Sequence, residues 1–237
     1  IKYGYKEIYV VGHSMGGVIA TYLGSKYKEV KKLVLAAPAF EFCNFKNNKI
    51  NSIQTTQGQH FKADQYVIAT GSWSEHWSNQ LGLKIPVHPV QGQMLLFKTP
   101  EQWLPTMCMN KVMYLIPRQD GHIVCGSSMD DIGFDHRPNI DTQRKIYEAS
   151  LEMVPELEQF PIVKSWAGLR PSSPTGIPYI GQLLELDNAW ANFGHFRNGL
   201  CMGPASAQLL HQLILNQDTL VNAELYSPSR LQQTETI

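Results

Sequence analysis

The fold is decided by three stretches in the C-terminal third of the sequence, the first of which is Trp166-Ala-Gly-Leu-Arg170-Pro171. The second is Gly176-Ile-Pro178-Tyr-Ile-Gly181, and the third is Gly194-His-Phe-Arg197-Asn-Gly199. The apolar run Val163–Leu169 predicts a strand that leads into the first stretch, and residues 203–215 predict a helix after the third. A glycine-rich turn at a helix N-terminus gathers backbone N–H groups and favours partial negative charge.

The composition of the 237 residues is that of a packed globular protein, with 43% hydrophobic and 17% charged residues. Lysine plus arginine and aspartate plus glutamate are 20 each, so the zero net charge argues against a nucleic-acid partner. The cysteines form no C-x-x-C pair, and we expect no metal site. Because no apolar run approaches the roughly 18 residues that span a bilayer, we expect no membrane partner and a cytoplasmic location.

Residues 1–43 predict a strand, a turn, a helix and a second strand. The apolar strands are Glu7–Val11 and Lys32–Ala36, and the apolar positions between Val18 and Tyr27 have helical spacing. This order is typical of a right-handed βαβ unit in a parallel sheet.

The turn in this segment reads Gly12-His-Ser14-Met-Gly-Gly17 and resembles the nucleophile elbow of the α/β-hydrolase family. Ser14 would be the nucleophile, but a serine needs a histidine base oriented by a carboxylate. His195 with Asp187 or Asp218 could supply these groups, although His195 lies in the glycine-rich turn described above. Two interpretations stay open: a serine esterase that uses Ser14, and an elbow without partners.

From about Ile50 the sequence changes to a succession of strands. The cluster of asparagine and lysine between Phe40 and Ile50 marks a boundary, which predicts one region over residues 1–43 and another over residues 44–237. The second region predicts strands at Asn51–Thr56, Ala63–Gly71 and Val90–Phe97, a short helix capped by Ser72, a hairpin of Lys111–Pro117 with His122–Ser127, and a helix over Asp141–Met153 capped by Asp141.

Motifs in this second region occur in a specific order. Besides the three C-terminal stretches they are Val67-Ile-Ala-Thr-Gly71-Ser-Trp-Ser74, Val90-Gln-Gly-Gln-Met94, Tyr114-Leu-Ile-Pro117, Gly126-Ser-Ser-Met129-Asp130 and Gly133-Phe-Asp135. With these motifs, about residues 45–237 resemble the C-terminal part of the glycine oxidase / D-amino-acid oxidase family, which includes the bacterial glycine oxidases of thiamine biosynthesis.

The resemblance implies an FAD-dependent oxidoreductase that oxidises glycine, sarcosine or a D-amino acid to an imine with O2 as the acceptor. It implies an α/β fold with an additional α+β part. An antiparallel substrate-domain sheet is expected over about residues 86–170, and cofactor-facing parts over about 50–85 and 171–216. The amino acid and O2 would be the partners, and an oligomer has no support in the sequence.

The resemblance also assigns the site residues. Arg170 would bind the substrate carboxylate through two parallel hydrogen bonds, which the planar guanidinium favours. Tyr114 would donate to the same carboxylate or shape the pocket, and it is equally expected in a strand core. Met129 would line the pocket, with core packing as its alternative. Arg197 would reach the substrate or brace its loop.

The FAD-binding residues that the resemblance implies follow a strand end and the glycine-rich turn. Glycine at the strand end permits close approach of the backbone, and the turn would meet the pyrimidine edge of the flavin. These residues are Gly71, His195, Phe196, Arg197, Asn198, Gly199, Leu200 and Cys201.

The sequence departs from the family pattern in three places. Gln91 stands where a basic residue is commoner, and Thr175 where an acidic one is. The sequence also contains no G-x-G-x-x-G, the turn that places a pyrophosphate on a helix N-terminus. We therefore expect FAD binding to be weak or lost, and an inactive composite of a hydrolase fragment and an oxidase part stays open.

Overall fold

The computed structural model describes residues 8–12, 30–35, 40–55, 58–184 and 186–231. The chain divides into two compact units. The first comprises residues Ile1–His88 and Pro171–Ile237, and the second comprises Pro89–Arg170.

Thirteen strands, three α-helices and five 3₁₀-helices are defined within these described ranges. The strands are β1 (Ile8–Gly12), β2 (Val30–Leu35), β3 (Phe40–Lys46), β4 (Lys49–Thr55), β5 (His60–Phe61), β6 (Tyr66–Ile68), β7 (His88–Lys98), β8 (Cys108–Met109), β9 (Tyr114–Pro117), β10 (His122–Gly126), β11 (Ile162–Ser172), β12 (Tyr179–Gln182) and β13 (Ala189–Phe193). The α-helices are α1 (Ser78–Leu81), α2 (Ile140–Met153) and α3 (Gly199–Ile214). The 3₁₀-helices are Gly71–Trp77, Pro155–Gln159, Phe196–Asn198, Ala223–Tyr226 and Pro228–Leu231.

Strands β1 and β2 pair in parallel, with Tyr9 opposite Lys32 and Gly12 opposite Leu35. The parallel pair confirms the two strands predicted near the N-terminus. The predicted helix between them and Ser14 lie outside the described residues. The hydrolase-like fragment therefore stays a prediction.

The first unit also contains a sheet in the order β12-β13-β6, with β13 antiparallel to β12 and parallel to β6. Its two faces bury different sets of residues because side chains alternate along a strand. Ala191 and Phe193 belong to one buried cluster, which includes Tyr66 and Ile68. On the other face Val67, Ala69 and Ile180 pack with Leu209 and Leu210 of α3. Helix α3 thus covers one side of the sheet.

A third sheet of the first unit is the antiparallel meander β3-β4-β5. The backbone N–H of Ile50 in β4 donates to Asn188 Oδ1 at 2.9 Å, and Asn188 Nδ2 donates back to the Ile50 carbonyl at 2.9 Å. This pair of bonds ties β4 to the residue just before β13.

The second unit is built on a five-stranded sheet in the order β11-β7-β10-β9-β8. The hairpin predicted across Asp120-Gly121 is confirmed by antiparallel pairing of β9 with β10, with Tyr114 opposite Gly126. One face of the sheet buries Leu95 and Phe97 against Ile146 of α2. The other face carries Gly92 and Met94 of β7, against which the side chains of Arg170 and Tyr114 lie.

Three predicted helix starts differ from the structure. Asn139, not Asp141, caps α2, because its extended backbone lets its side chain accept from the Thr142 N–H at 2.8 Å. Helix α3 begins at Gly199, four residues before the predicted start. Ser72 is the second residue of the 3₁₀-helix Gly71–Trp77, whose N-cap residue is Thr70 and makes no side-chain capping bond.

Candidate functional site

Arg170 lies on β11 and directs its guanidinium toward the loop that follows β10. Its Nη2 donates to Ser127 Oγ at 2.7 Å, and its Nη1 donates to the Ser128 carbonyl at 3.1 Å. Arginine is always positively charged in proteins, and both acceptors are neutral oxygens. Neither of these two bonds therefore pairs the guanidinium with a carboxylate. A fixed positive group of this kind suits an anionic ligand.

Tyr114 lies two strands away from β7 in the same sheet and is half-buried. Gly126 of β10 is opposite both Tyr114 on one side and Met94 on the other. The Tyr114 hydroxyl lies 3.6 Å from Met94 Sδ, at the range of a weak hydrogen bond to sulfur. Tyr114 therefore has a specific contact on the sheet surface, and it is absent from the buried cluster that contains its neighbour Leu115.

Met129 lies on the loop after β10 and is 58% exposed. It directly follows Ser128, whose carbonyl accepts from Arg170. This exposure excludes the alternative in which Met129 fills the core of the second unit.

Two buried glutamines hold the loop that carries Ser127, Ser128 and Met129. Gln91 Nε2 donates to the carbonyls of Asp135 at 2.7 Å and Arg137 at 3.2 Å. Gln93 Nε2 donates to Gln91 Oε1 at 2.8 Å, and Gln93 Oε1 accepts from the Asn139 N–H at 3.0 Å. Neither glutamine is solvent-exposed. Buried amides with all these bonds fix the course of the loop.

These glutamines, Ser127 and Ser128 were not among the predicted site residues. Their signal in the sequence is weak, because Gln91 and Gln93 alternate along β7 with Gly92 and Met94 and read as an ordinary half-polar strand. The distant partners are the backbone carbonyls of Asp135 and Arg137 for Gln91 and the backbone N–H of Asn139 for Gln93. All three are more than 40 residues away in sequence, and no local pattern identifies them.

The glycine-rich turn of the first unit connects β13 to α3. Gly194 has a φ of 80°, a left-handed conformation that favours glycine, and a side chain there would press on Ser173, Tyr179 and Val87. His195 pairs with Ser172 as an isolated bridge, and its carbonyl accepts from the Asn198 N–H at 3.1 Å. The turn is therefore tightly folded.

His195 is buried at the centre of this turn. Its Nε2 lies 2.9 Å from Oγ of Ser206 on α3, and that side chain is buried as well. Burial lowers the pKa of the His195 imidazole to about 4, because the charged form is poorly solvated. His195 is thus a neutral structural link between the turn and α3, rather than an exposed acid or base.

The other predicted flavin-facing residues lie around the start of α3. Phe196 is half-buried, Gly199 is buried, and Arg197, Asn198, Leu200 and Cys201 are exposed. The Asn198 side chain makes no capping bond to α3. The N-terminus of this 16-residue helix carries a partial positive charge, and its first N–H groups have no partner within the helix. Such a set of donors fits a ring edge that is rich in hydrogen-bond acceptors, such as the pyrimidine edge of a flavin.

Gly71 follows β6 and begins the 3₁₀-helix Gly71–Trp77. The strand was predicted to extend to Gly71, but β6 ends at Ile68, three residues before it. β6 is nevertheless parallel to β13, so Gly71 and the turn after β13 both follow the carboxyl ends of neighbouring strands, at the same edge of the sheet.

Within the part of the chain that the structure describes, no group of three histidine, cysteine or acidic side chains is placed to hold a metal ion. None of the helices described above is long and apolar enough to span a bilayer.

A cavity of about 300 Å³ opens on the second unit. It is lined by Leu96, Arg118, Asp120, His122, Val124, Lys164 and Trp166. Neither Arg170 nor Tyr114 lines it, and the only basic groups around it are exposed side chains or the His122 imidazole, which pairs with Asp120 at 3.0 Å. It adds no residue to the site.

The comparisons with known proteins agree with the sequence motifs. The family model described as DAO, FAD dependent oxidoreductase, matches residues 28–213. A glycine oxidase of Pseudomonas putida is 40% identical over 209 residues, which are 85% of this chain and 57% of that protein. A glycine oxidase of Pseudomonas aeruginosa is 41% identical over 182 residues, which are 77% of this chain and 50% of that protein.

Solved structures show the same relationship. The crystal structure of glycine oxidase from Geobacillus kaustophilus matches with a TM-score of 0.75 and 26% identity, over 82% of this chain and 53% of that one. The chain thus spans about half the length of the relatives that it matches. Because the family model covers more than half of its residues, the chain belongs to the DAO family of FAD-dependent oxidoreductases.

Proposed function

We propose that this chain takes part in the FAD-dependent oxidation of a small amino acid to an imine, with O2 as the acceptor. The substrate class is glycine, sarcosine or a small D-amino acid. The observation that carries the proposal is the Arg170 guanidinium, held by Ser127 and Ser128 on the sheet of a DAO-family chain. The names of the Pseudomonas relatives, both glycine oxidases, support the same substrate class.

Arg170 would bind the substrate carboxylate. The planar guanidinium carries five N–H donors in a fixed arrangement that matches a carboxylate through two parallel hydrogen bonds. A bidentate pair fixes the orientation of the amino acid and therefore of its α C–H bond. Tyr114 and Met129 would shape the surrounding surface.

The turn from His195 to Cys201, together with Gly71, would hold the flavin. The donor set at the start of α3 suits the edge of the flavin that gathers negative charge on reduction. Bound FAD would supply the hydride-accepting chemistry, with O2 taking the two electrons as hydrogen peroxide. The imine then hydrolyses in water to a keto acid, or to glyoxylate from glycine, and ammonia, while the imine from sarcosine would release methylamine. Arg197 would reach the substrate side or brace the turn.

We also propose that this chain alone binds FAD weakly, because its 237 residues contain no G-x-G-x-x-G. The proposed division is a hydrolase-like segment over residues 1–43 and an oxidase region over 44–237. In the latter, about residues 86–170 would form the substrate-domain sheet, and about 50–85 and 171–216 would face the cofactor.

A flavin titration followed by a peroxide assay tests the oxidase proposal. FAD is titrated into the purified chain, and peroxide is measured in excess FAD with glycine, sarcosine and D-alanine. We expect weak FAD binding, peroxide from at least one of the three amines, and a far larger loss of amine affinity in Arg170→Ala than in Met129→Ala. Equal losses in the two variants would count against the carboxylate clamp. Absence of peroxide with FAD bound would contradict the oxidase and support an inactive composite.

A serine hydrolase that uses Ser14 is the second candidate. The parallel pairing of β1 with β2 supports it, because a nucleophile elbow connects a strand to a helix in a parallel sheet. A fluorophosphonate probe tests it directly. Labelling that disappears in Ser14→Ala would support the esterase, and a chain that stays unlabelled would exclude it.

A further inference from the structure

Gly92 of β7 leaves the space that the Arg170 guanidinium occupies. A Cβ atom built on Gly92 would lie 2.0–2.3 Å from Nη1, Nη2 and Cζ of Arg170, whereas real Cβ atoms essentially never come within 3.0 Å of such a neighbour. β11 and β7 are neighbours in the sheet, so the guanidinium lies across the adjacent strand. Any side chain at position 92 would force the guanidinium to move, since the flexible end of an arginine yields more easily than a backbone.

Ser127 and Ser128 then fix the orientation of the guanidinium within that space. The two bonds from Arg170 go to different nitrogens and different residues, so together they define the plane of the group. Ser127 contributes its hydroxyl, which a substitution can remove, whereas Ser128 contributes its backbone carbonyl.

The loop itself is anchored independently of Arg170. Ser128 Oγ accepts from the Gln93 N–H at 3.0 Å and donates to Asp130 Oδ2 at 2.5 Å. The Asp130 and Gln91 backbones exchange two hydrogen bonds, at 2.8 and 2.9 Å. The acceptors of Arg170 are therefore held to the strand that also carries Gly92.

We infer that Gly92 and Ser127 are positioning residues for substrate binding. Gly92 acts by lacking a side chain and Ser127 by accepting a hydrogen bond, and together they set where the Arg170 guanidinium meets the carboxylate. The inference rests on the proposed function, in which Arg170 binds that carboxylate. Neither residue contacts the substrate in this assignment.

The test measures the dissociation constant of glycine for the full chain by NMR titration, with the Michaelis constant in excess FAD as a second readout. The variants are Gly92→Ala, Ser127→Ala, Ser127→Thr, Arg170→Ala and the double variant Gly92→Ala/Arg170→Ala. Gly168→Ala is the matched control, because Gly168 lies on β11 near Arg170 and a Cβ there meets nothing within 4 Å.

We expect Gly92→Ala and Ser127→Ala to weaken glycine binding about tenfold or more, the effect of disturbing a hydrogen bond to a charged group. Ser127→Thr keeps the hydroxyl and should restore affinity, and Gly168→Ala should match the wild type. In the Arg170→Ala background, Gly92→Ala should have no further effect, since the group that it displaces is gone.

The outcomes separate the two proposals. If Arg170→Ala abolishes glycine binding while Gly92→Ala and Ser127→Ala leave it unchanged, the positioning roles are wrong and the clamp stands. If glycine does not bind the wild type, or binds Arg170→Ala equally well, the proposed function is wrong, and the inference that rests on it is wrong as well. If Gly92→Ala does not fold, the glycine affinities of Ser127→Ala and Ser127→Thr still test the positioning role of Ser127.

Discussion

Nε2 of His195 lies 2.9 Å from Oγ of Ser206, and the two side chains are 4% and 3% exposed. His195 belongs to the turn after β13, and Ser206 belongs to the second turn of α3. The contact therefore joins the proposed flavin-facing turn to the helix that follows it. Burial lowers the pKa of this imidazole to about 4, so His195 is neutral at pH 7 in the folded chain.

The first prediction is a loss of stability between about pH 6.5 and pH 4. In this range the unfolded chain binds a proton at His195, with an ordinary pKa near 6.5, and the folded chain does not. The free energy of unfolding therefore falls as the pH falls, by about 2–3 kcal/mol for this group. Urea unfolding at a series of pH values in wild type and His195→Gln measures the difference between the two slopes.

Ser206→Ala is the control for this effect. Because the cause of the lowered pKa is burial rather than the hydrogen bond, Ser206→Ala should lose stability at all pH values and keep the pH dependence. A His195→Gln profile parallel to that of the wild type would show that the imidazole is not the titrating group.

The second prediction concerns two buried asparagines, Asn188 just before β13 and Asn192 within it. Asn188 exchanges two hydrogen bonds with the backbone of Ile50, whereas the Asn192 amide has no hydrogen-bond partner among the described residues. Asn188→Leu should destabilise the chain by about 2–4 kcal/mol, because it leaves a buried N–H and a buried carbonyl unpaired. Asn192→Leu should change the free energy of unfolding by less than about 1 kcal/mol or increase it.

Chemical denaturation of the two leucine variants measures both values under the same conditions. A large loss in Asn192→Leu would mean that its amide bonds to a part of the chain beyond the described residues. Equal losses in the two variants would contradict the predicted difference.

The sequence predicted those parts of the fold whose signals are local. The Asp120-Gly121 turn and the apolar alternation around it predicted the hairpin of β9 and β10, because a two-residue signal and its flanking strands are adjacent in the chain. The start of α3 was missed because it depends on packing with residues distant in sequence. Gly199, Gly203 and Pro204 favour a turn locally, but burial of Gly203 and Ser206 within the first unit overrides that preference.

The candidate site was only partly predictable. Arg170 was identified from its motif, whereas the reason for its position lies in Gly92 and Ser127, which are 78 and 43 residues distant in sequence. A glycine that accommodates a distant side chain looks the same in the sequence as any other strand glycine. Such a relation becomes visible only when the sheet order is known.

The third prediction tests the glutamine network under the Arg170 site. Gln91→Leu should lower the free energy of unfolding by about 2–4 kcal/mol, because the Asp135 carbonyl and Gln93 Nε2 lose their buried partner. It should also speed amide hydrogen exchange in residues 130–139, which the network holds. Gln119→Leu, in the exposed hairpin turn, is the matched control and should change the free energy by less than about 0.5 kcal/mol. Unchanged exchange in the loop would contradict the anchoring role.

The last prediction separates the charge of Arg170 from its geometry. Arg170→Lys keeps one positive charge but provides a single compact ammonium in place of the planar guanidinium. The lysine cannot bond both Ser127 Oγ and the Ser128 carbonyl while presenting two parallel donors to a carboxylate. We therefore expect Arg170→Lys to weaken glycine binding about tenfold or more, and to retain more affinity than Arg170→Ala because the Coulomb attraction remains. Glycine titrations of the three proteins at low and high salt measure this order. If lysine restored full affinity at both salt concentrations, a simple positive charge would suffice and the bidentate geometry would not be required.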